Sequence, residues 1–186
     1  MGAGTEENNH LLYSLANYSV SEGDHFSTGV APWTAGLSTT ILMDITTLSN
    51  PSANDNPARV YKLLACWDSS ANRWALSFGK TSQYVSDQRF NWMGTQTTLT
   101  GSKTAAGRHR ICVTHQANSN TITISYKYNN ESIKTMQSTV TFVSTTTNMA
   151  AGLGGSGGGS LPAGTINQFR IYDEIISDDD INSFFT

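Results

Sequence analysis

The clearest pattern along the chain is a series of short segments in which apolar and polar residues alternate. A period of two is typical of β-strands that turn one face towards a hydrophobic core. The segments Leu37–Leu48, Arg110–His115 and Thr121–Lys127 show this alternation most regularly. Runs rich in Asn, Ser, Gly and Pro separate the segments and predict turns. The pattern predicts about ten to thirteen short strands in a sandwich or barrel, and no βαβ units.

Further strands are predicted where the alternation is shorter. They cover the segments Arg59–Asp68, Arg73–Lys80, Trp92–Thr100 and Met136–Val143. The first two are joined by a four-residue polar turn and therefore predict a hairpin.

The segment Gly164–Tyr172 also alternates, but imperfectly. Ile166 falls on one face of the predicted strand, whereas Phe169 and Ile171 fall on the other. A regular strand would therefore divide its apolar residues between two faces.

After this strand the period changes to that of a helix. Ser177, followed three residues later by Asp180, resembles a capping box, and the acidic run 178–180 suits the first turn of a helix. Ile181, Phe184 and Phe185 have the i, i+3, i+4 spacing of one apolar helix face. The chain is therefore predicted to end as strand, turn and short helix.

These closing residues resemble a known family. The segment 164–185 is similar to the end of laminin-G-like domains of the concanavalin-A-like superfamily, where a strand "G-x-I-x-x-x-R-I-Y" precedes a helix "L-S-D-x-E-I". Phe26–Val30 resembles the family's "F-x-T-G-I" strand, and Arg108–Thr114 resembles its "W-H-x-V-x-V-T" strand. The sequence departs from the family at Arg108, where Trp is usual, at Ile176, where Leu is usual, and at Asp180, where Glu is more common.

The resemblance implies an all-β fold for residues 1–186 as a single domain. We expect a two-sheet antiparallel jelly-roll sandwich of the concanavalin A type with a short C-terminal helix. Such folds carry many functions, so the resemblance supports the fold more directly than the function.

Charge and composition exclude some classes of partner. Charged residues make up 13% of the chain and the net charge is −3, without a cluster of Lys and Arg. We therefore expect no nucleic-acid binding. No apolar run is long enough to insert into a membrane. The first seven residues are polar and acidic and do not resemble a signal peptide. We expect an extracellular or virion-surface location, as a domain of a secreted protein or as a virion protein.

The two cysteines, Cys66 and Cys112, lie in predicted strands, and their spacing does not match a metal site. We interpret them as buried or half-buried free thiols. A disulfide between neighbouring strands is the alternative.

The sequence lacks the acidic pairs of a glycosidase. Those enzymes need two carboxyl groups close together, one of which acts as acid and the other as base or nucleophile. Asp44 is the only carboxylate inside a long predicted strand and has no acidic partner two residues away. No G-x-S-x-G motif is present. The four histidines lack metal-ligand spacing, and we interpret them as solvated or half-buried. We therefore expect no enzymatic activity.

We expect no required cofactor. Calcium is bound by loops rich in oxygen ligands, and the loops around Asp55 and Asp173 have that composition without an ordered ligand spacing. These two residues are the weak candidates for a structural Ca²⁺.

A stretch that combines aromatic and polar residues is the candidate binding site. Sugar rings stack on aromatic side chains, and amide, carboxylate and guanidinium groups hydrogen-bond their hydroxyls. The residues predicted to bind a glycan are Tyr84, Asp87, Arg89, Asn91 and Trp92.

The function predicted from these features is a non-catalytic, lectin-like recognition or adhesion module for a glycan or a cell-surface polysaccharide. The alternative is a structural virion or adhesion protein, such as a phage head-fibre, decoration or tail module. Such a protein would bind other protein subunits or the host surface.

Overall fold

A computed structural model describes residues 10–21, 24–34, 36–48, 61–67, 73–78, 88–92, 95–100, 105–139, 148–151 and 161–186. Only the backbone is described for residues 61–67, 73–78, 88–92, 95–97 and 150.

These parts of the chain form two antiparallel sheets and one helix. In chain order the strands are β1 (Leu11–Val20), β2 (Phe26–Ser27), β3 (Thr39–Thr47), β4 (Tyr61–Trp67), β5 (Arg73–Phe78), β6 (Gln88–Trp92), β7 (Thr95–Leu99), β8 (Gly107–His115), β9 (Thr121–Tyr128), β10 (Lys134–Thr139), β11 (Ala150–Ala151) and β12 (Gly164–Tyr172). The helix α1 spans Asp178–Phe185. The first sheet has the order β1-β12-β3-β8-β9-β10, and the second has the order β2-β11-β4-β5-β6-β7. The predicted all-β sandwich with a short C-terminal helix is confirmed.

The strand assignments differ from the sequence prediction around Trp92. A strand was predicted to start at Trp92, but β6 ends there and β7 begins at Thr95. Positions 89–92 pair in antiparallel register with β5, and positions 88–92 pair with β7. The segment Gln-Arg-Phe-Asn-Trp itself alternates polar and apolar residues, and this pattern suits a strand. Three of the five residues predicted to bind a glycan, Arg89, Asn91 and Trp92, therefore lie in a strand.

The core lies between the two sheets. Every second residue of β3, β8 and β9 is fully buried in it, as the alternation predicted. The same core includes Trp33 and Leu161 from the connecting segments. The core side chains of these three strands are those of Ile41, Met43, Ile45, Ile111, Val113, Ile122, Ile124 and Tyr126.

A β-bulge at Asn167 explains the imperfect alternation of the last strand. The register of β12 against β3 runs from Ile166 opposite Ile45 to Gln168 opposite Asp44, so Asn167 is an extra residue. A bulge shifts the following residues to the other face. Ile166 and Phe169 consequently both lie in the core, and the prediction that they face opposite ways is wrong.

The first residue of β12 must be glycine for steric reasons. A Cβ atom on Gly164 would collide with the backbone carbonyl oxygen of Thr46 on β3. Real Cβ atoms do not approach a backbone oxygen so closely, so the two strands can pair here only without a side chain at position 164.

Two histidines are buried in the core, although the sequence predicted solvated or half-buried side chains. His109 is 0% and His115 is 2% exposed. The His109 Nδ1 atom lies 3.0 Å from the hydroxyl oxygen of Tyr126, and its Nε2 atom lies 2.9 Å from the carbonyl oxygen of Ala105. These partners offset the cost of burying a polar ring. Burial lowers the pKa of His109 to about 4, against the opposing effect of the Ala105 hydrogen bond.

This burial predicts a loss of stability in acid. The unfolded chain binds a proton at His109 near the ordinary pKa of 6.5, whereas the folded chain does so only near 4. The stability gained by keeping His109 neutral is therefore fully present above pH 6.5. As the pH falls towards 4, the free energy of unfolding decreases by about 3 kcal/mol. Urea unfolding at pH 7 and pH 4.5 measures this difference.

The contribution of His109 is isolated by a pair of variants. We expect His109→Gln to be less stable at pH 7 but to lose less further stability at pH 4.5. The exposed His25 serves as the control. His25→Gln should show the same difference in unfolding free energy between pH 7 and pH 4.5 as the wild type. An unchanged difference in His109→Gln would contradict the assignment.

Candidate binding site

Three of the five residues predicted to bind a glycan lie in the second sheet, and the other two precede β6 in the chain. Arg89, Asn91 and Trp92 lie in β6, where Trp92 is in register with Trp74 of β5. Tyr84 and Asp87 lie outside the described residues. Successive positions of a strand belong to opposite faces. Positions 89 and 91 are therefore on one face of the second sheet and position 92 is on the other, which divides the predicted set.

Of the two calcium candidates, Asp173 lies within the described residues. Asp55 lies outside the described residues. The Asp173 carboxylate oxygen lies 2.9 Å from the His10 Nδ1 atom, and Glu174 lies 3.9 Å from the other ring nitrogen. In the described ranges no group of three or more His, Cys, Asp and Glu side chains is arranged to hold a metal ion. A structural Ca²⁺ stays a prediction.

The described side chains form a different site, on the outer face of the first sheet. The helix α1 covers part of this face. Ser177 is its N-cap, as predicted, and its hydroxyl accepts a hydrogen bond of 3.1 Å from the Asp180 amide. The Thr40 hydroxyl donates to the Glu174 carbonyl at 2.7 Å and accepts from the Ile176 amide at 3.2 Å. These bonds fix the turn between β12 and α1 against β3.

A small apolar cluster lies between α1 and the sheet. It consists of the buried residues Leu42, Cys112, Tyr172, Ile176 and Phe185. Ile181 and Phe184 pack against it. Cys112 is free, as predicted, and burial raises the pKa of its thiol to about 12. The thiol is therefore protonated at neutral pH and weakly reactive.

Two cations hold the end of the helix. The Arg110 guanidinium and the Lys127 ammonium each donate a 2.6 Å hydrogen bond to the Phe185 carbonyl oxygen. Carbonyls of the last turn lack partners within a helix, and positive charge is favourable there. Arg110 is 1% exposed. Its other hydrogen bond goes to the carbonyl of Asn129, and its Nε atom has no hydrogen-bond partner.

An ion pair beside the helix involves the one carboxylate that the sequence placed inside a strand. Asp44 accepts hydrogen bonds from the Nε and terminal nitrogen of Arg108, at 2.5 to 3.0 Å. The Asn167 amide, at the bulge of β12, donates to the same carboxylate at 2.9 Å. The Asp44 side chain is 5% exposed, so its charge is neutralised inside the structure and not in solvent.

A cleft of about 340 Å³ separates α1 from the strands next to it. Its walls come from β3, β8 and β12 on one side and from the helix on the other. The residues that line it are Leu42, Asp44, Arg108, Gln168, Arg170, Tyr172, Ile176, Asp180, Ser183, Phe184 and Thr186. The size matches that of small-molecule sites in proteins.

Sequence reasoning did not find this cleft. Asp44, Arg108 and Arg170 are far apart in the chain and are brought together by strand pairing. One signal was available. Asp44 stands inside an otherwise uncharged, buried strand, and a buried carboxylate requires a cationic or hydrogen-bonding partner.

We expect the attachment of α1 to depend on Phe185 and only weakly on its neighbour Phe184. Phe185 is 1% exposed, whereas Phe184 is partly exposed. Phe185→Ala should cost about 3–5 kcal/mol, as for other fully buried phenylalanines. Opening of the helix should also expose the Cys112 thiol, so alkylation of Cys112, followed by mass spectrometry, should become faster.

Phe184→Ala is the matched control and should leave both the unfolding free energy and the Cys112 alkylation rate closer to wild type. Equal effects of the two variants would contradict the proposed packing of the helix.

No protein-family model matches the sequence, and no curated protein matches it. Solved structures are similar in fold. The CBM40 of the Ruminococcus gnavus IT-sialidase bound to α2,3 sialyllactose superposes with a TM-score of 0.64 and 15% identity. The match covers 92% of this chain and 97% of that chain. Peanut lectin with a 9mer peptide has a TM-score of 0.56 and 10% identity, over 95% of this chain and 97% of the lectin chain.

A longer protein contains a similar domain. A leech intramolecular trans-sialidase in complex with 2,7-anhydro-Neu5Ac matches 95% of this chain with a TM-score of 0.63 and 14% identity, but only 28% of its own length. At these identities the similarity shows the fold alone. The chain therefore has a jelly-roll sandwich fold related to that of concanavalin A. The narrower assignment to laminin-G-like domains stays a prediction.

Proposed function

We propose that the chain is a non-catalytic module that binds a glycan outside the cell. The observation that carries this proposal is the similarity over nearly the whole length of both chains to CBM40, a carbohydrate-binding module. In that structure the module holds a sialylated oligosaccharide. Because one fold can serve many functions, the proposal also needs support from the side chains.

Asp44, the carboxylate inside β3, does not suit acid–base catalysis of glycoside hydrolysis. Asp44 is nearly buried and is held by Arg108 and Asn167. A general acid or a nucleophile must reach the scissile bond, and a pair of carboxyls must flank it. The ion pair gives Asp44 a structural role, which supports a binding module over a hydrolase.

The site proposed for the glycan stays on the second sheet and the segment preceding β6. Trp92 and Tyr84 are proposed to stack on sugar rings, and Asp87, Arg89 and Asn91 to bond their hydroxyls. Because successive residues of a strand belong to opposite faces, positions 89 and 91 lie on one face of the second sheet and position 92 lies on the other. One sugar-binding surface would therefore include either Trp92 or the pair Arg89 and Asn91.

The test is a glycan array that includes α2,3- and α2,6-sialyllactose, probed with the folded chain and with variants. We expect binding to at least one glycan. We expect either Trp92→Ala or the double variant Arg89→Ala/Asn91→Ala to abolish it, and the other to retain it. Removal of a stacking aromatic or a charged hydrogen bond should weaken binding about tenfold or more.

Two controls complete the array. Lys134→Ala removes a partly exposed charge on β10, in the other sheet, and should bind as wild type does. EDTA reports whether a structural Ca²⁺ contributes. Failure of the folded chain to bind any glycan would overturn the proposal and would direct the search to protein subunits, as a structural virion or adhesion module requires.

A further inference from the structure

The cleft beneath α1 plays no part in the proposed glycan site, since it lies on the outer face of the other sheet. It holds about 340 Å³ and is bounded by four charged side chains, those of Asp44, Arg108, Arg170 and Asp180. Their charges sum to zero at the cleft wall, but they are not equally available to a ligand.

Asp44 and Arg108 largely neutralise each other. The pair is joined by hydrogen bonds of 2.5 to 3.0 Å, and Asn167 supplies a further donor to the carboxylate. The Arg108 side chain nevertheless remains 47% exposed. Arg110 and Lys127 add two positive charges beneath the helix, and their hydrogen bonds go to backbone carbonyls. Asp178 and Asp179 in the first turn of the helix offset these two charges, so the net charge around the cleft is close to zero.

Arg170 is the cation that remains available. It is exposed, and among the described residues it forms no ion pair with a carboxylate. Its neighbours are uncharged oxygens. With its amide oxygen turned towards Arg170, Gln168 lies 2.7, 3.0 and 3.1 Å from the three guanidinium nitrogens, and the Tyr172 hydroxyl accepts at 3.4 Å.

The position of Gln168 leaves room for a ligand on this guanidinium. An oxygen at nearly equal distances from all three nitrogens lies over the face of the planar group and not at its edge. The N–H bonds lie in the plane, where a carboxylate binds in bidentate fashion.

The rest of the lining suits a small hydroxylated molecule. Ser183 and Thr186 on the helix side carry hydroxyl groups, and Gln168 and Asp180 accept hydrogen bonds. Leu42, Ile176 and the ring of Phe184 provide the apolar part of the wall. A polar site that includes an aromatic ring is typical of sugar recognition, since the ring can stack on C–H groups.

We propose that this cleft is a second binding site, which takes a hydroxylated carboxylate of the size of a uronic acid through bidentate contact with Arg170. The inference rests on the cleft and not on the proposed glycan site, so each can fail separately. Asp180 limits the affinity, because its negative charge faces the bound anion.

The test is isothermal titration of D-glucuronate into the whole chain. Methyl glucoside is the neutral probe and sodium sulfate the probe for a simple anion site. We expect glucuronate to bind and methyl glucoside not to bind. Arg170→Gln should weaken glucuronate binding about ten- to hundredfold, which is the effect of one charge-assisted hydrogen bond or more. Arg170→Lys should recover only part of the loss, since a lysine offers no bidentate contact.

Asp180→Asn should raise the affinity for glucuronate, whereas the Arg170 variants should lower it. It keeps an oxygen acceptor for the Ser177 hydroxyl and removes the opposing charge, so glucuronate should bind several-fold more tightly. Lys134→Gln is the matched control for loss of a positive charge at a distant strand and should change nothing. Thermal unfolding of each variant shows whether the fold is retained.

The outcomes separate the two proposals. Glucuronate binding that Arg170→Gln weakens, while Trp92→Ala leaves it unchanged, supports the cleft. Absence of glucuronate binding, or binding that Arg170→Gln leaves intact in a folded protein, overturns it without bearing on the glycan array. Equal binding of sulfate and glucuronate would also overturn it, because it would show a general anion site.

Discussion

Strand β3 is buried on both faces, and this constraint organises the described part of the molecule. One face carries Ile41, Met43 and Ile45 into the core between the sheets, and the other carries Leu42 and Asp44 beneath the helix. Leu42 needs an apolar cover, and the carboxylate of Asp44 needs cationic and hydrogen-bonding partners, because neither is solvated. The neighbouring strands and α1 meet both requirements. β8 supplies Arg108, the bulge of β12 supplies Asn167, and the helix supplies Phe185.

The same arrangement creates the cleft. The helix is eight residues long, so it covers only part of the outer face of the first sheet. Its last carbonyl is held at one point by Arg110 and Lys127, and its first turn is held at another through Ser177 and Thr40. Between these attachments the side chains of Arg108 on β8 and Arg170 on β12 remain accessible. The helix α1, which packs next to the last strand, thus also forms one wall of the polar cleft.

The sequence predicted those features that depend on local pattern. The alternation located β3, β8 and β9, and the spacing of Ser177, Asp180, Phe184 and Phe185 located α1 with its cap. It did not predict the bulge at Asn167, because a bulge is defined by pairing with other strands and not by the residues of its own strand. The burial of His109 and His115 was also missed. Tyr126 becomes a neighbour of His109 only when β8 and β9 pair. Ala105 and Ser119 are only four residues away in sequence, but they contact the rings through backbone carbonyls, which residue types do not reveal. The ligand cleft combines residues 44, 108, 170 and 180, and this grouping required the tertiary structure.

We propose that this jelly-roll sandwich serves as a glycan-binding module. The most direct measurement is saturation-transfer NMR of the whole chain in a mixture of free neutral and acidic oligosaccharides, because it detects weak binding without immobilising either partner. The account predicts transfer of saturation from the protein to the ring protons of at least one oligosaccharide, and competition by an excess of that same sugar. A folded chain that transfers no saturation to any sugar in the mixture would contradict the claim.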